Sequence, residues 1–239
     1  SSIGDVVPTV VGVVVGIAVL QALTRALEVP AGTVDGFMPR RKFLVLFGAA
    51  AAVAVAAGTV GRYLGDRVAG VADDIKNFRL PTVAAGEKAA AIPAGTDIGV
   101  EGATTFVTPN NTFYRIDTAL QVPQLTTADW QLKIHGKVDR EMTLSWDDLM
   151  ARTPIERVVT LTCVSNEVGG PLAGNATWIG FPIKDILDEV GVQADADMLL
   201  STSIDGMTIG SPVEALTDGR DAMLAGSMNG EPLPVEHGY

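Results

Sequence analysis

Between Val6 and Thr24 the chain reads "VVPTVVGVVVGIAVLQALT", nineteen residues without a charge. A second uncharged run of nineteen, "FLVLFGAAAAVAVAAGTVG", extends from Phe43 to Gly61. No other feature limits the fold as strongly. Such a length is about what an α-helix needs to cross the hydrocarbon core of a bilayer. A helix also satisfies its own backbone groups, which lipid cannot do. Two runs of this kind are rare as buried helices of a water-soluble domain. Residues 1–65 are therefore read as a membrane region with two transmembrane helices, about 6–24 and 43–61. Gly12 and Gly16 place a GxxxG pair in the first, a spacing that lets helices approach closely.

Arg40, Arg41 and Lys42 abut the second run, and the positive-inside rule puts them in the cytoplasm. The first helix then runs inward and the second outward. Everything after Arg62 is expected on the extracytoplasmic side of the cell membrane. Arg40-Arg41-Lys42-Phe43-Leu44 also resembles a twin-arginine export signal, which serves proteins that fold before export. Residues 66–95 are rich in Ala, Gly and Pro without a period. They read as a linker, with one short helix near "VADDIKNF". The chain opens at "SSIGD" and stops at "EHGY", and it is read as a piece of a longer protein.

From residue 71 onward there are eleven Lys/Arg against twenty-four Asp/Glu, a net charge of −13. That balance argues against a nucleic-acid partner, whose phosphates would be repelled. One cysteine in 239 residues excludes an internal disulfide, a Cys-ligated iron–sulfur cluster and a Cys-rich zinc site. The only histidines are His135 and His237, and there is no CxxCH, so covalent haem is not expected. No GxGxxG follows a strand and no GxxxxGK[ST] occurs.

The acidic part mixes strands and helices irregularly. In "DWQLKIHGKV", Trp130, Leu132 and Ile134 alternate with Gln131, Lys133 and His135, the signature of a half-buried strand with His135 in solvent. "MTLS" is a second short strand, and "WDDLMAR" is a helix capped by Ser145. "RVVTLT" reads as a buried strand. "FPIKDILDEVG" is a helix with Ile183, Ile186, Leu187 and Val190 on one face and Gly191 as its stop. "DMLLSTSI" and "DAMLAGSM" are further strands, and "NGEPLP" holds a hairpin turn. The expected class is α+β.

The lone thiol, Cys163, stands where "RVVTLT" gives out. Three uses are open to it. Free cysteine is often a small buried hydrophobe. A nucleophile needs a base nearby, and the two histidines are poorly placed for that. A soft thiolate ligand is the third use: one protein ligand suffices if an organic group holds the rest of the metal. A stretch rich in Asn, Gly and Pro follows, "SNEVGGPLAGNATWIGFP", read as a loop that lets a large polar ligand approach the backbone.

Several separated motifs, in order, carry a resemblance. They are "TPNNTFYRIDTAL", "VPQL", "DWQLKIHGKV", "TLTCVSNEVGG", "NATWIGFPIKDIL" and "MNGEPLPVEHGY". Residues 96–239 are similar to the molybdopterin-binding domain of the sulfite-oxidase family, incomplete at its C-terminal side. The resemblance implies a molybdenum-molybdopterin cofactor with Cys163 as the protein ligand to the metal. It implies that Asn111, Tyr114 and Arg115 lie against cofactor and substrate, with Arg115 taking a catalytic role alongside Cys163. It further implies that Ser203 and His237 contact the pterin and that Asn166 shapes the loop after the cysteine. Trp178 and Gly180 are as readily structural as ligand-contacting.

Two departures stand out. The family's sulfite oxidases carry Arg-Asn-His where this chain has Arg115-Ile116-Asp117, and a tyrosine where it has Met207. The expectation is a membrane-anchored oxidoreductase that transfers an oxygen atom to or from a small sulfite- or sulfoxide-type substrate. Its external electron carrier would be a quinone or a cytochrome. The competing expectation is a cofactor-free binding or structural module that keeps the fold.

Overall fold

The computed structural model describes residues 16–18, 21, 40–119 and 121–238. Most of the first uncharged run therefore lies outside the described residues. The second lies within one helix, α1 (Arg40–Asn77), 38 residues long and so about 57 Å from end to end. Residues 66–77, expected as the start of a linker with a separate short helix, continue α1 without a break. "VADDIKNF" carries no stop signal before Asn77, since Gly65 and Gly70 are tolerated inside a helix. Among the described residues α1 supplies the one stretch long and apolar enough to cross a bilayer, within Phe47–Asn77.

The chain divides into two compact units, residues 1–69 and 70–239. In the second unit the last turns of α1 are tied down. Val71 is buried, and the Asp74 carboxylate accepts from the Thr127 N–H at 2.6 Å and from its hydroxyl at 3.0 Å. The Phe78 ring lies 5.7 Å from that of Trp146, which meets Trp130 edge-on at 5.5 Å.

The strands of this unit are β1 (Gln131–Ile134), β2 (Met142–Ser145), β3 (Ile155–Thr162), β4 (Ala173–Pro182), β5 (Met198–Thr202), β6 (Thr208–Pro212), β7 (Met223–Met228) and β8 (Glu231–Pro232). They form two hairpins, β1–β2 and β5–β6, and one four-stranded sheet in the order β3-β4-β7-β8. Every pairing among the described residues is antiparallel. Three helices interleave with the strands: α2 (Trp146–Met150), α3 (Ile183–Val190) and α4 (Val213–Thr217). The expected α+β mixture is what the chain adopts.

Local signals account for several of these elements. Leu132 and Ile134 pack inward while His135 stays exposed. Ser145 closes a capping box with Asp148 at the start of α2. Ile186, Leu187 and Val190 are buried along α3, and Gly191 ends it in the left-handed region at φ 68°. Asn229 (φ 54°) and Gly230 (φ 78°) make the β7–β8 turn, the pair of positive φ values that a two-residue hairpin favours.

Two expectations fail. The residues after Cys163 are a loop only as far as Leu172, because Ala173–Pro182 form the central strand β4. Its glycines reflect close neighbours rather than a turn. A Cβ on Gly174 would lie 2.7 Å from the Phe113 ring, and one on Gly180 would lie 2.5 Å from the Leu224 carbonyl. In addition, β3 is not buried throughout. It is an edge strand, paired to β4 alone, and Val159 and Leu161 in its outer half are exposed.

The pleat of β4 sends alternate residues to opposite faces. Ala176 and Trp178 join Phe113, Met228 and Leu233 in one cluster. Phe181 joins Leu144, Leu149 and Ile186 in the other. The irregularity opposite Ile179/Gly180 is an extra residue, Gly226, on β7, so the alternation of β4 survives it. Phe181 is 1% exposed. Phe181→Ala is expected to lower unfolding stability by about 3–5 kcal/mol through the cavity it leaves. Gly180→Ala, which forces a methyl against backbone, is expected to cost about 1–3 kcal/mol. Denaturant unfolding of the full chain measures both.

Candidate functional site

The site begins with the segment that precedes β1. Residues 105–113 are stapled to the sheet edge by a network of amides. Thr108 and Asn175 exchange two bonds: the Thr108 N–H donates to the Asn175 carbonyl at 2.8 Å, and the Asn175 N–H donates to the Thr108 hydroxyl at 3.2 Å. Asn229 donates to the Thr108 carbonyl at 3.0 Å and to the Asn110 side chain at 2.7 Å. Asn110 in turn donates to the Met228 carbonyl at 3.1 Å. These bonds deliver Phe113 to the surface of β4, where Gly174 makes room for it.

Phe113 is the hub of the site. Its ring stacks on Tyr114 at 5.4 Å and meets Trp178 and His237 edge-on, each at 5.7 Å. His237 bonds through Nε2 to the Tyr114 carbonyl at 3.1 Å. Around them opens a hollow of about 450 Å³. Phe113, Leu161, Trp178 and Leu233 give it apolar walls, and Arg115, Glu236 and His237 bring its ionisable groups. A second hollow, about 220 Å³, lies at Glu87, Asp185 and Asp221, with no thiol or imidazole in its lining.

Cys163 lies outside the lining of the larger hollow, two residues beyond Leu161, which belongs to it. It is half-buried. Its backbone N–H still donates to the Leu172 carbonyl at 2.9 Å. Its Sγ lies 3.2 Å from the Ser165 hydroxyl. That hydroxyl, helped by the Ser165 and Val164 N–H groups, holds the thiol below its ordinary value. A hydrogen bond to the charged form favours it. Tyr114 feels the thiol electrostatically: burial first, and then the charge of Cys163, push its phenol up. The loop after the cysteine is pinned by Asn166, whose Oδ1 accepts from the Leu172 N–H at 2.8 Å. Gly170 passes so close that a Cβ would lie 2.6 Å from that oxygen.

Of the residues singled out from sequence, Tyr114, Arg115 and His237 line the hollow, and Tyr114 links them to Cys163. Asn166 belongs to the cysteine loop. Asn111 is exposed on the single turn Asn110–Thr112. Ser203 lies at the β5–β6 turn, where its hydroxyl is hydrogen-bonded to Asp205. Asp205 also accepts from Thr118 at 2.7 Å and is held at about 2. None of Cys163, Asn111, Asn166 and Ser203 enters the lining of the hollow. Trp178 donates its indole N–H to the Val159 carbonyl at 3.2 Å and floors the hollow. Sequence reasoning passed over Phe113, Leu161, Leu233 and Glu236. The one local signal was adjacency, with Phe113 beside Tyr114 and Glu236 beside His237.

Comparison with known proteins decides the family. A profile of the oxidoreductase molybdopterin-binding domain matches residues 119–239, half of the chain. The chain belongs to the oxidoreductase molybdopterin-binding domain family. It is 32% identical over 161 residues to the mitochondrial sulfite oxidase of Drosophila melanogaster, covering 57% of this chain and 27% of that protein. It is 32% identical over 110 residues to the uncharacterized oxidoreductase YuiH of Bacillus subtilis (strain 168), covering 46% of this chain and 53% of that protein. Among solved structures, the sulfane dehydrogenase SoxCD from Paracoccus pantotrophus is similar at a TM-score of 0.52 and 25% identity, over 58% of this chain and 39% of that one. The chain thus spans between about a quarter and a half of the length of these relatives.

The family's cofactor is molybdenum-molybdopterin, and the residues present fit it. His237 Nδ1 is buried at the hollow without a partner, and a buried imidazole nitrogen left so calls for one. Hydrogen bonds from Ser165 and Val164 shift the single thiol toward thiolate, the form a metal binds. No cluster of three His, Cys, Asp or Glu competes for a metal among the described residues. In metal-free protein, the alkylation rate of Cys163 is expected to rise with pH at a midpoint below that of free cysteine. Ser165→Ala should move that midpoint upward and slow alkylation several-fold at neutral pH. Rate measurements across pH check both.

Proposed function

We propose that this chain is the membrane-anchored part of a molybdenum oxidoreductase that moves an oxygen atom to or from a small sulfur-containing substrate, of sulfite or sulfoxide type. One observation carries the reading: an acid-shifted, half-buried thiol beside a hollow whose wall holds an unpartnered imidazole nitrogen. In this reading Cys163 is the only protein ligand to the metal, a soft thiolate where an organic dithiolene supplies the rest. When bound, the cofactor supplies the two-electron oxygen-atom chemistry.

The chain's own residues bind, orient and handle protons. Tyr114 stays protonated, since burial and the neighbouring thiolate both oppose its ionisation. Its hydroxyl is then a donor to a substrate oxygen. Arg115 contacts the substrate as a catalytic group, through N–H groups that Asp117 leaves unused. The unpartnered Nδ1 of His237 would bond the pterin when it is bound. Asn111 and Ser203 would contact the pterin as well, and Asn166 keeps the cysteine loop in shape.

The reaction balances in either direction. Sulfite and water give sulfate, two protons and two electrons; a sulfoxide with two electrons and two protons gives a thioether and water. A quinone or a cytochrome exchanges the electrons. The membrane region extends to about residue 65 and the oxidoreductase domain begins near residue 96. Arg40, Arg41 and Lys42 keep the start of α1 in the cytoplasm. The domain then stands on the extracytoplasmic side, exported after folding by a twin-arginine route.

Molybdenum analysis of the full-length protein is expected to give about one metal per chain. Cys163→Ser is expected to abolish turnover of sulfite and of sulfoxides alike while unfolding at the wild-type denaturant midpoint. Retained turnover would rule out metal ligation. For the topology, protease added to intact cells is expected to cut residues after 95, and the chain is expected to pellet with membranes. Protection of those residues in intact cells would reverse the assignment.

A further inference from the structure

The hollow beside Cys163 carries one permanent positive charge, on Arg115. That charge is already matched. Arg115 Nε lies 3.0 and 2.9 Å from the two Asp117 carboxylate oxygens, and Nη2 bonds the second of them as well. Glu236 lines the same hollow, and its charge acts on Arg115 after that of Asp117. One cation against two carboxylates leaves the three groups at −1. A forked carboxylate also occupies the edge of the guanidinium on which an incoming oxyanion would form its own pair of bonds. Apart from Tyr114 and His237, the remaining wall is mainly apolar, built from Phe113, Ile116, Leu161, Trp178 and Leu233.

We propose that Asp117, assisted by Glu236, determines specificity by changing Arg115 from an anion receptor into a hydrogen-bond donor without net charge. The hollow then takes an uncharged sulfoxide with apolar arms, or its thioether, and turns away oxyanions such as sulfite. The inference rests on the oxygen-atom-transfer reading above and narrows its substrate. The S–O dipole accepts from the free N–H groups of Arg115 or from the Tyr114 hydroxyl, while the apolar arms lie on Trp178 and Leu161. Breaking the S–O bond consumes two electrons from the quinol- or cytochrome-type donor and two protons, and it releases thioether and water. An oxyanion in the same place meets the Glu236 carboxylate on the lining and that of Asp117 paired to Arg115. The Arg115 and Asp117 side chains are 40% and 31% exposed, so water and salt screen that repulsion in part.

The test uses the full-length protein in two measurements. The first is calorimetric titration with sulfate, on metal-free and molybdenum-loaded samples. Wild type is expected to bind sulfate weakly. Asp117→Asn and Glu236→Gln are each expected to bind it about tenfold more tightly, the size of one partly screened charge contact. Asp218→Asn is the control. It breaks a forked pair of the same geometry with Arg220, neither residue being in the lining of the hollow, and should leave sulfate binding unchanged. Sulfate binding by wild type as tight as by Asp117→Asn overturns the proposal.

The second measurement compares kcat/KM for methyl phenyl sulfoxide and for sulfite. Wild type should favour the sulfoxide, and Asp117→Asn should move the ratio about tenfold toward sulfite. A wild-type preference for sulfite also overturns the proposal. If the protein holds no molybdenum and turns over neither compound, the oxygen-transfer reading falls. The sulfate titration then decides the charge argument by itself.

Discussion

The seating of Phe113 on Gly174 is the contact on which the rest of this domain turns. One ring lies where a side chain on the central strand would otherwise stand. From that position it stacks on Tyr114 and meets Trp178 and His237 edge-on. Aromatic pairs in these geometries add about 0.5–1.5 kcal/mol each beyond the area they bury. More important is what they align. The segment before β1, the strand β4 and the single turn Val235–His237 are far apart in sequence. The ring brings one residue from each to a common hollow.

Gly174 has a counterpart in Gly180 at the other end of β4, where the backbone of β7 comes equally close. Between them Ala176, Trp178 and Phe181 divide between two clusters on opposite faces. The strand is thus a partition with a core on each side. The C-terminal turns of α1 are tied to the unit through Asp74 and Thr127 and through the Phe78–Trp146–Trp130 rings. These contacts all lie within the second unit, at residues 70–78 and the segments that flank the hairpin β1–β2. The exposed outer half of β3 leads to the cysteine loop. That edge position leaves the Cys163 thiol half open instead of sealed among aliphatic side chains.

Charge decides how the hollow can be used. The forked Arg115–Asp117 pair is local, two residues apart, and readable as a possibility from "YRID". The approach of Glu236 is not readable, because it depends on the last turn folding back over the Phe113 ring. A single arginine suggests an anion site when considered alone. With its two acidic neighbours, in the proposed reading, it becomes a donor suited to an uncharged acceptor. The same holds for Tyr114, whose raised phenol owes part of its shift to a thiolate almost fifty residues away.

Features that depend on short-range geometry could be read directly from the residues. The α3 face follows from spacing and its end from Gly191. The α2 start follows from Ser145 and Asp148, the β7–β8 turn from Asn229-Gly230, and the helical reach of the second uncharged run from its composition. Each involves neighbours within a turn or two of backbone, where steric and hydrogen-bonding preferences act without help. The position of Cys163 at the end of a strand was legible for the same reason. The identity of β4 was not, because its glycines signal a loop until Phe113 and Leu224 are seen pressing on them. Nor was the hollow, whose lining comes from segments joined only by packing. Only the fold could set those relations, since burial and close approach belong to pairs of distant residues.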